Sequence, residues 1–90
     1  MELPEIRNKL DELDHRLIAL LAERMSVIPS VAECKIKHNL PRYQPEREKT
    51  MIERIRNLAS NLNLNPNLGE NIIKLIIADA HRIEEEMMNR

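Results

Sequence analysis

Arg24, Lys35, Arg47 and Glu84 stand where helical segments of this sequence should carry apolar residues. At about 100° per residue, Arg24 has the phase of Ile6, and Lys35 lies within about 20° of it, with Ile28 and Val31 on the same face. In a second segment Arg47 falls about 40° from Met51, and in a third Glu84 falls about 20° from Ile73, among Ile77, Ala80 and Met87. A buried, unpaired charge costs several kcal/mol, so inward charges must pair with one another, extend their stems to solvent, or line a cavity that takes a complementary ligand. Here three cations face one acid, and the surplus favours an anion. Guanidinium forks grip carboxylates with two parallel hydrogen bonds, so Arg24 and Arg47 suit a small dicarboxylate. Lys35 can hold a carboxylate or polarise an ether or hydroxyl oxygen.

Other chemistries have no residues to carry them. No serine, cysteine or histidine shares the inward phases as a nucleophile and base, and no glycine-rich loop is present to cradle phosphate. Cys34, His15, His38 and His81 lack the spacing of zinc ligands and read as surface or packing residues, Cys34 being a small apolar residue near a helix end. Tyr43 reads as loop packing. Neither a metal nor another cofactor is expected. The chemistry that fits is non-covalent: positioning a reactive substrate and stabilising charge as it develops.

The elements that must hold these groups are helices. Phe and Trp are absent from the 90 residues, Tyr43 is the one aromatic and Gly69 the one glycine, which suits helix-on-helix packing and leaves little for hairpin turns. An all-α chain of one domain, residues 1–90, is expected, with a core small enough that a partner chain would add usefully to it. Ile6, Leu10, Leu13, Leu17, Leu20, Leu21, Ile28 and Val31 recur in steps of three and four and predict a first helix over about 4–38. At 1.5 Å per residue it would be roughly 52 Å long and needs something to lie against. Pro29 should kink it without ending it, because the apolar register continues to Val31. Gln44 as cap and Pro45 as first residue open a second helix over about 45–62; Asn65 and Pro66 open a third over about 66–88. The formal charge is −1 with both signs interspersed, so no basic field draws nucleic acid or anionic lipid. The first residues lack the pattern of a signal peptide and no apolar run is long enough to span a bilayer, which points to a cytoplasmic protein.

EIRNKLDELDHRLIALLAER, VAECK, the proline-containing loop before PERE, and LIIADAHRIEE, in this order and spacing, resemble the all-helical chorismate mutases. The likeness covers essentially the whole chain. It implies an intertwined helical homodimer, without cofactor, that converts chorismate to prephenate by an intramolecular Claisen rearrangement on the route to phenylalanine and tyrosine. Carried over by position, it implies that Arg24 and Arg47 hold the substrate's carboxylates with Arg7 of the partner chain. Arg7 lies about 100° around the helix from Arg24, so one straight helix would not aim both at one pocket. Lys35 would contact the enolpyruvyl side and its ether oxygen, and Glu48 the ring hydroxyl.

Three positions depart from the commoner pattern: Gln44 replaces an aspartate at the ring hydroxyl, Ala80 a serine near a carboxylate, and Glu84 a glutamine that donates to the ether oxygen. A glutamate donates only when protonated, so catalysis that uses Glu84 in this role should fall with rising pH. Taken alone, Arg7 reads as an exposed partner for Asp11 and Glu48 as a charge serving the helix dipole. Two other functions accommodate the same pattern. One is an isochorismate pyruvate lyase, in which a cationic cavity holds the isomeric substrate. The other is a non-catalytic helical dimer, in which the inward charges set register.

Overall fold

The structure, a computed structural model, describes residues 1–88, and among them every regular element is helical. α1 spans Leu3–Ser26, α2 Ile28–Lys37, α3 Pro45–Asn61 and α4 Pro66–Met88. Pro4 lies in the first turn of α1, where its missing N–H costs nothing, and Glu5 faces the positive end of the dipole.

The long first helix is bent, not ended. Val27 alone separates α1 from α2, and its backbone stays right-handed at φ −86°, ψ −19°. Pro29 has no N–H to offer the carbonyl of Met25, and the chain tightens there: Val27 N donates to Arg24 O at 3.2 Å and Ser30 N to Val27 O at 3.1 Å. Together α1 and α2 account for the molecule's greatest dimension, 55 Å against 24 and 14 Å.

Two asparagines do the work that a glycine-poor chain cannot give to glycine. Asn39 and Asn63 adopt left-handed backbones, φ 55° and 59°, just beyond α2 and α3. Leu40 N then reaches back to Lys35 O and Leu64 N to Ala59 O, each at 2.8 Å, closing both helices with the same motif. Asparagine is the residue after glycine that tolerates this conformation best. At the start of α4, Asn65 caps as expected, its Oδ1 accepting from Asn67 N at 2.9 Å. Gln44 precedes Pro45 as expected, but its side chain makes no capping bond and lines the cavity described below.

α3 and α4 form an antiparallel hairpin, and α2 lies across α4. The buried residues are Ile28 and Ala32 of α2, Met51 and Ala59 of α3, and Gly69, Ile73, Ala80 and Glu84 of α4. Gly69 allows the hairpin to close: a Cβ there would sit 3.2 Å from the Ala59 methyl carbon. α1 contributes no buried residue. Its stripe of Leu3, Ile6, Leu10, Leu13 and Leu17 is exposed along its length, Leu17 at 61%. One chain therefore leaves uncovered the apolar face that its own periodicity predicts to be packed.

Candidate active site

A cavity of about 190 Å³ lies where the end of α1, α2, the 38–44 loop, the start of α3 and the second half of α4 converge. That volume is below the roughly 300–1,000 Å³ of sites for drug-sized ligands and suits a compact single-ring molecule. Ile28, Val31, Met51 and Ile77 form its apolar wall. Arg24, Lys35, Arg42 and Arg47 bring four cations to it; Glu48 and Glu84 bring two acids.

Lys35 is the best-anchored of the cations. Its Nζ donates to Glu84 Oε1 and to the carbonyl of Arg42, both at 2.6 Å. An ammonium has three N–H groups, so one donor remains for a ligand. Glu84, 5% exposed, is the one charged residue in the described core, and this pairing satisfies it. Arg24 and Arg47 differ: among the described residues neither makes an ion pair or a side-chain hydrogen bond with the protein. Arg24 is half-buried, at the bend where α1 gives way to α2, and Arg47 is exposed in the first turns of α3. Their guanidinium groups lack a protein counter-ion, which an anionic ligand would supply.

A second polar chain crosses between elements, joined to the first through Arg42. Arg42 Nη1 lies 2.8 Å from His81 Nδ1, and His81 Nε2 lies 2.7 Å from Glu48 Oε2. Arg42 Nη2 also approaches Glu85 Oε1 at 3.8 Å, and the Tyr43 ring meets His81 edge-on with centroids 6.0 Å apart.

Seven of the eight residues expected at a site line this one cavity: Arg24, Lys35, Gln44, Arg47, Glu48, Ala80 and Glu84. Arg7 does not. It is exposed on α1, seventeen residues before Arg24 and so roughly 25 Å away along the helix. Two lining residues were not anticipated. His81, read as a surface or packing residue, sits about 60° from Glu84 in helical phase and was within reach of the same argument that found Glu84. Arg42 belongs to a loop between Pro41 and Pro45, where no periodicity exists to point it anywhere. Cys34 is exposed.

Away from the cavity, two carboxyls titrate below their ordinary range. Glu70 is lowered first by its hydrogen bond from Lys74, 2.6 Å away; desolvation opposes this, and Arg56 of α3, at 3.0 Å, adds to the lowering. Asp79 is lowered chiefly by its hydrogen bond from Arg82, at 2.8 Å.

Comparison with known proteins agrees with this geometry. Residues 6–85 match the family described as chorismate mutase type II. A chorismate mutase of Methanocaldococcus jannaschii is 37% identical over 97% of this chain and 88% of its own length. A bifunctional chorismate mutase/prephenate dehydratase of Buchnera aphidicola (Schizaphis graminum) is 33% identical over 99% of this chain, which spans 23% of that protein. A 4-amino-4-deoxychorismate mutase of Streptomyces venezuelae is 29% identical over 99% of the chain and 86% of its own length. With a cationic cavity in an all-helical frame and a family match over residues 6–85, the chain belongs to the chorismate mutase type II family and is an isomerase of that kind.

Proposed function

We propose that this protein converts chorismate to prephenate for phenylalanine and tyrosine synthesis, as a cytoplasmic homodimer that needs no cofactor. The observation that carries the reading is the pair of cavity-lining guanidinium groups, Arg24 and Arg47, without protein counter-ions, beside a Lys35 ammonium with one donor unused. The reaction breaks the ether C–O bond and forms a C–C bond between the enolpyruvyl methylene and the ring carbon that bears the carboxylate. All atoms stay in one molecule and no proton is transferred. Catalysis therefore reduces to holding the two carboxylates so that the carbon termini meet, and to stabilising negative charge on the departing ether oxygen. Arg24 and Arg47 serve the first need and Lys35 the second, with Glu84 assisting as a donor when protonated. Glu48, with Gln44 beside it, takes the ring hydroxyl, and Ala80 gives the wall near a carboxylate its shape.

A second copy of the chain is the natural cover for α1. Its exposed leucine and isoleucine stripe runs along the helix from Leu3 to Leu17, and two such arms laid together would remove both stripes from solvent. Arg7, which cannot reach its own cavity, would enter the partner's from such an arm. Enclosure by two chains would also exclude water and strengthen the electrostatic interactions inside.

The test is loss of chorismate absorbance on adding purified protein, followed by product identification. Prephenate supports the reading. Salicylate and pyruvate from isochorismate would make the protein a lyase. Turnover of neither substrate would leave a helical dimer module whose inward charges set register.

A further inference from the structure

We infer that Arg42 and His81 form a relay that fixes Glu48 as a single-oxygen acceptor and thereby selects a hydroxyl, not an amine, on the substrate ring. The inference rests on the functional reading above.

The protonation pattern follows from the donors present. A guanidinium has N–H groups only and cannot accept, so His81 Nδ1, 2.8 Å from Arg42 Nη1, must be the bare acceptor nitrogen. The imidazole proton then sits on Nε2 and is donated to Glu48 Oε2 across 2.7 Å. Only this neutral tautomer satisfies both contacts; an imidazolium would set Nδ1–H against the guanidinium. The groups around the ring hold it there from each neighbouring element. Glu48 faces it from α3, Arg42 and Tyr43 from the loop, and Glu85 on α4 answers Arg42 from behind. Lys35 on α2 clamps the Arg42 carbonyl, so Arg42 ties both polar ends of the cavity to one loop residue.

The consequence falls on Glu48. With Oε2 engaged by His81, Glu48 keeps one oxygen for a ligand, and the nearby charges of Arg42 and Arg47 are positive. One acceptor in a cationic surround suits a neutral hydroxyl. It disfavours the amine of 4-amino-4-deoxychorismate, which is protonated at neutral pH and seeks more than one anionic oxygen. His81 and Arg42 are thus positioning residues that act through Glu48.

The experiment measures kcat/KM for chorismate and for 4-amino-4-deoxychorismate with wild type, His81→Leu, His81→Gln and the Glu48→Gln and Glu48→Gln/His81→Leu proteins. It also records nitrogen NMR shifts of His81 in the wild type. Expected are a protonated Nε2 with a bare Nδ1, and a wild type that prefers chorismate. His81→Leu should lower kcat/KM for chorismate about tenfold and move the substrate ratio about tenfold toward the amine. His81→Gln should restore the ratio, since its amide can both accept from Arg42 and donate to Glu48. In the Glu48→Gln background His81→Leu should change nothing further. The proposal is overturned by a proton on Nδ1, by equal losses for the two substrates, or by effects that add across the two positions. A wild type that shows the stated tautomer yet converts neither substrate instead overturns the functional reading, and the specificity role with it.

Discussion

Lys35 of α2 and Glu84 of α4 meet at 2.6 Å on the cavity wall, the one buried acid of the described core joined to a cation that keeps a donor spare. This contact links packing to chemistry, because the same ammonium that neutralises Glu84 would also face the departing ether oxygen.

Removing one partner should expose how strongly the two depend on each other. Lys35→Ala leaves Glu84 buried without its cation and should lower unfolding stability by about 3–5 kcal/mol, as breaking a buried pair does. Lys35→Met combined with Glu84→Leu should recover most of that loss while remaining inactive. Urea titration of the three proteins measures it. Equal stabilities would mean that the pair is hydrated and contributes little.

Glu84→Gln substitutes an amide that can donate at every pH for a carboxyl that donates only when protonated. With Glu84 as a donor to the ether oxygen, the wild-type kcat/KM falls as pH rises from acid to neutral while the variant profile is flat; with Glu84 kept as the carboxylate paired to Lys35, both profiles are flat. A flat wild-type profile, or a variant that binds but does not turn over, counts against Glu84 as a donor.

Arg24 has no partner among the described residues, so Arg24→Ala should leave stability within about 0.5 kcal/mol of wild type, as for substitutions that break no internal contact. Loss of a donor to the bound carboxylate in a dry site should nonetheless lower kcat/KM by about 10²–10³-fold. Thermal melts and initial rates measured together separate this from a register-setting role, in which stability or assembly would change and turnover would not.

The α1 stripe makes a prediction that needs two chains. Mixing Arg7→Ala with Arg24→Ala, each strongly impaired alone, should restore about a quarter of wild-type activity, since half of random dimers are mixed and each carries one complete site. Leu17→Glu, placing a charge in the stripe, should shift the protein toward monomer in analytical ultracentrifugation and abolish turnover. No complementation on mixing would show that Arg7 does not work across chains.

Acid should weaken the α3–α4 contact through Glu70. Its folded pKa is depressed, mainly by Lys74 and then by Arg56, so the stabilisation is complete above the ordinary carboxyl range and is lost as pH falls through the folded value. The difference in Tm between neutral and acid pH should narrow in Glu70→Gln. An unchanged difference would remove Glu70 from the acid response.

Much of this arrangement was legible in residue order. Helical phase is a local property, so Arg24, Lys35, Arg47 and Glu84 could be turned inward on paper, and each lines the cavity. Pro45 and the Asn65–Pro66 pair marked the starts of α3 and α4 by their own backbone constraints. Pro29 implied a bend, although the interruption falls two residues earlier at Val27, because a proline disturbs the turn that precedes it.

Tertiary structure decided the rest. Whether Glu84 answers Arg24 or Lys35 depends on how α2 crosses α4, a distance between segments 49 residues apart that no periodicity encodes. Arg42 enters the site because the left-handed Asn39 turns the loop back over Lys35, and His81 becomes a polar wall only once Arg42 and Glu48 close on it. The sequence by itself determined the helices and the inward side of each, since both follow from neighbouring residues. The fold decided which inward charges neutralise one another and which stay available to a ligand, since Coulomb and hydrogen-bond partners are chosen by distance in space.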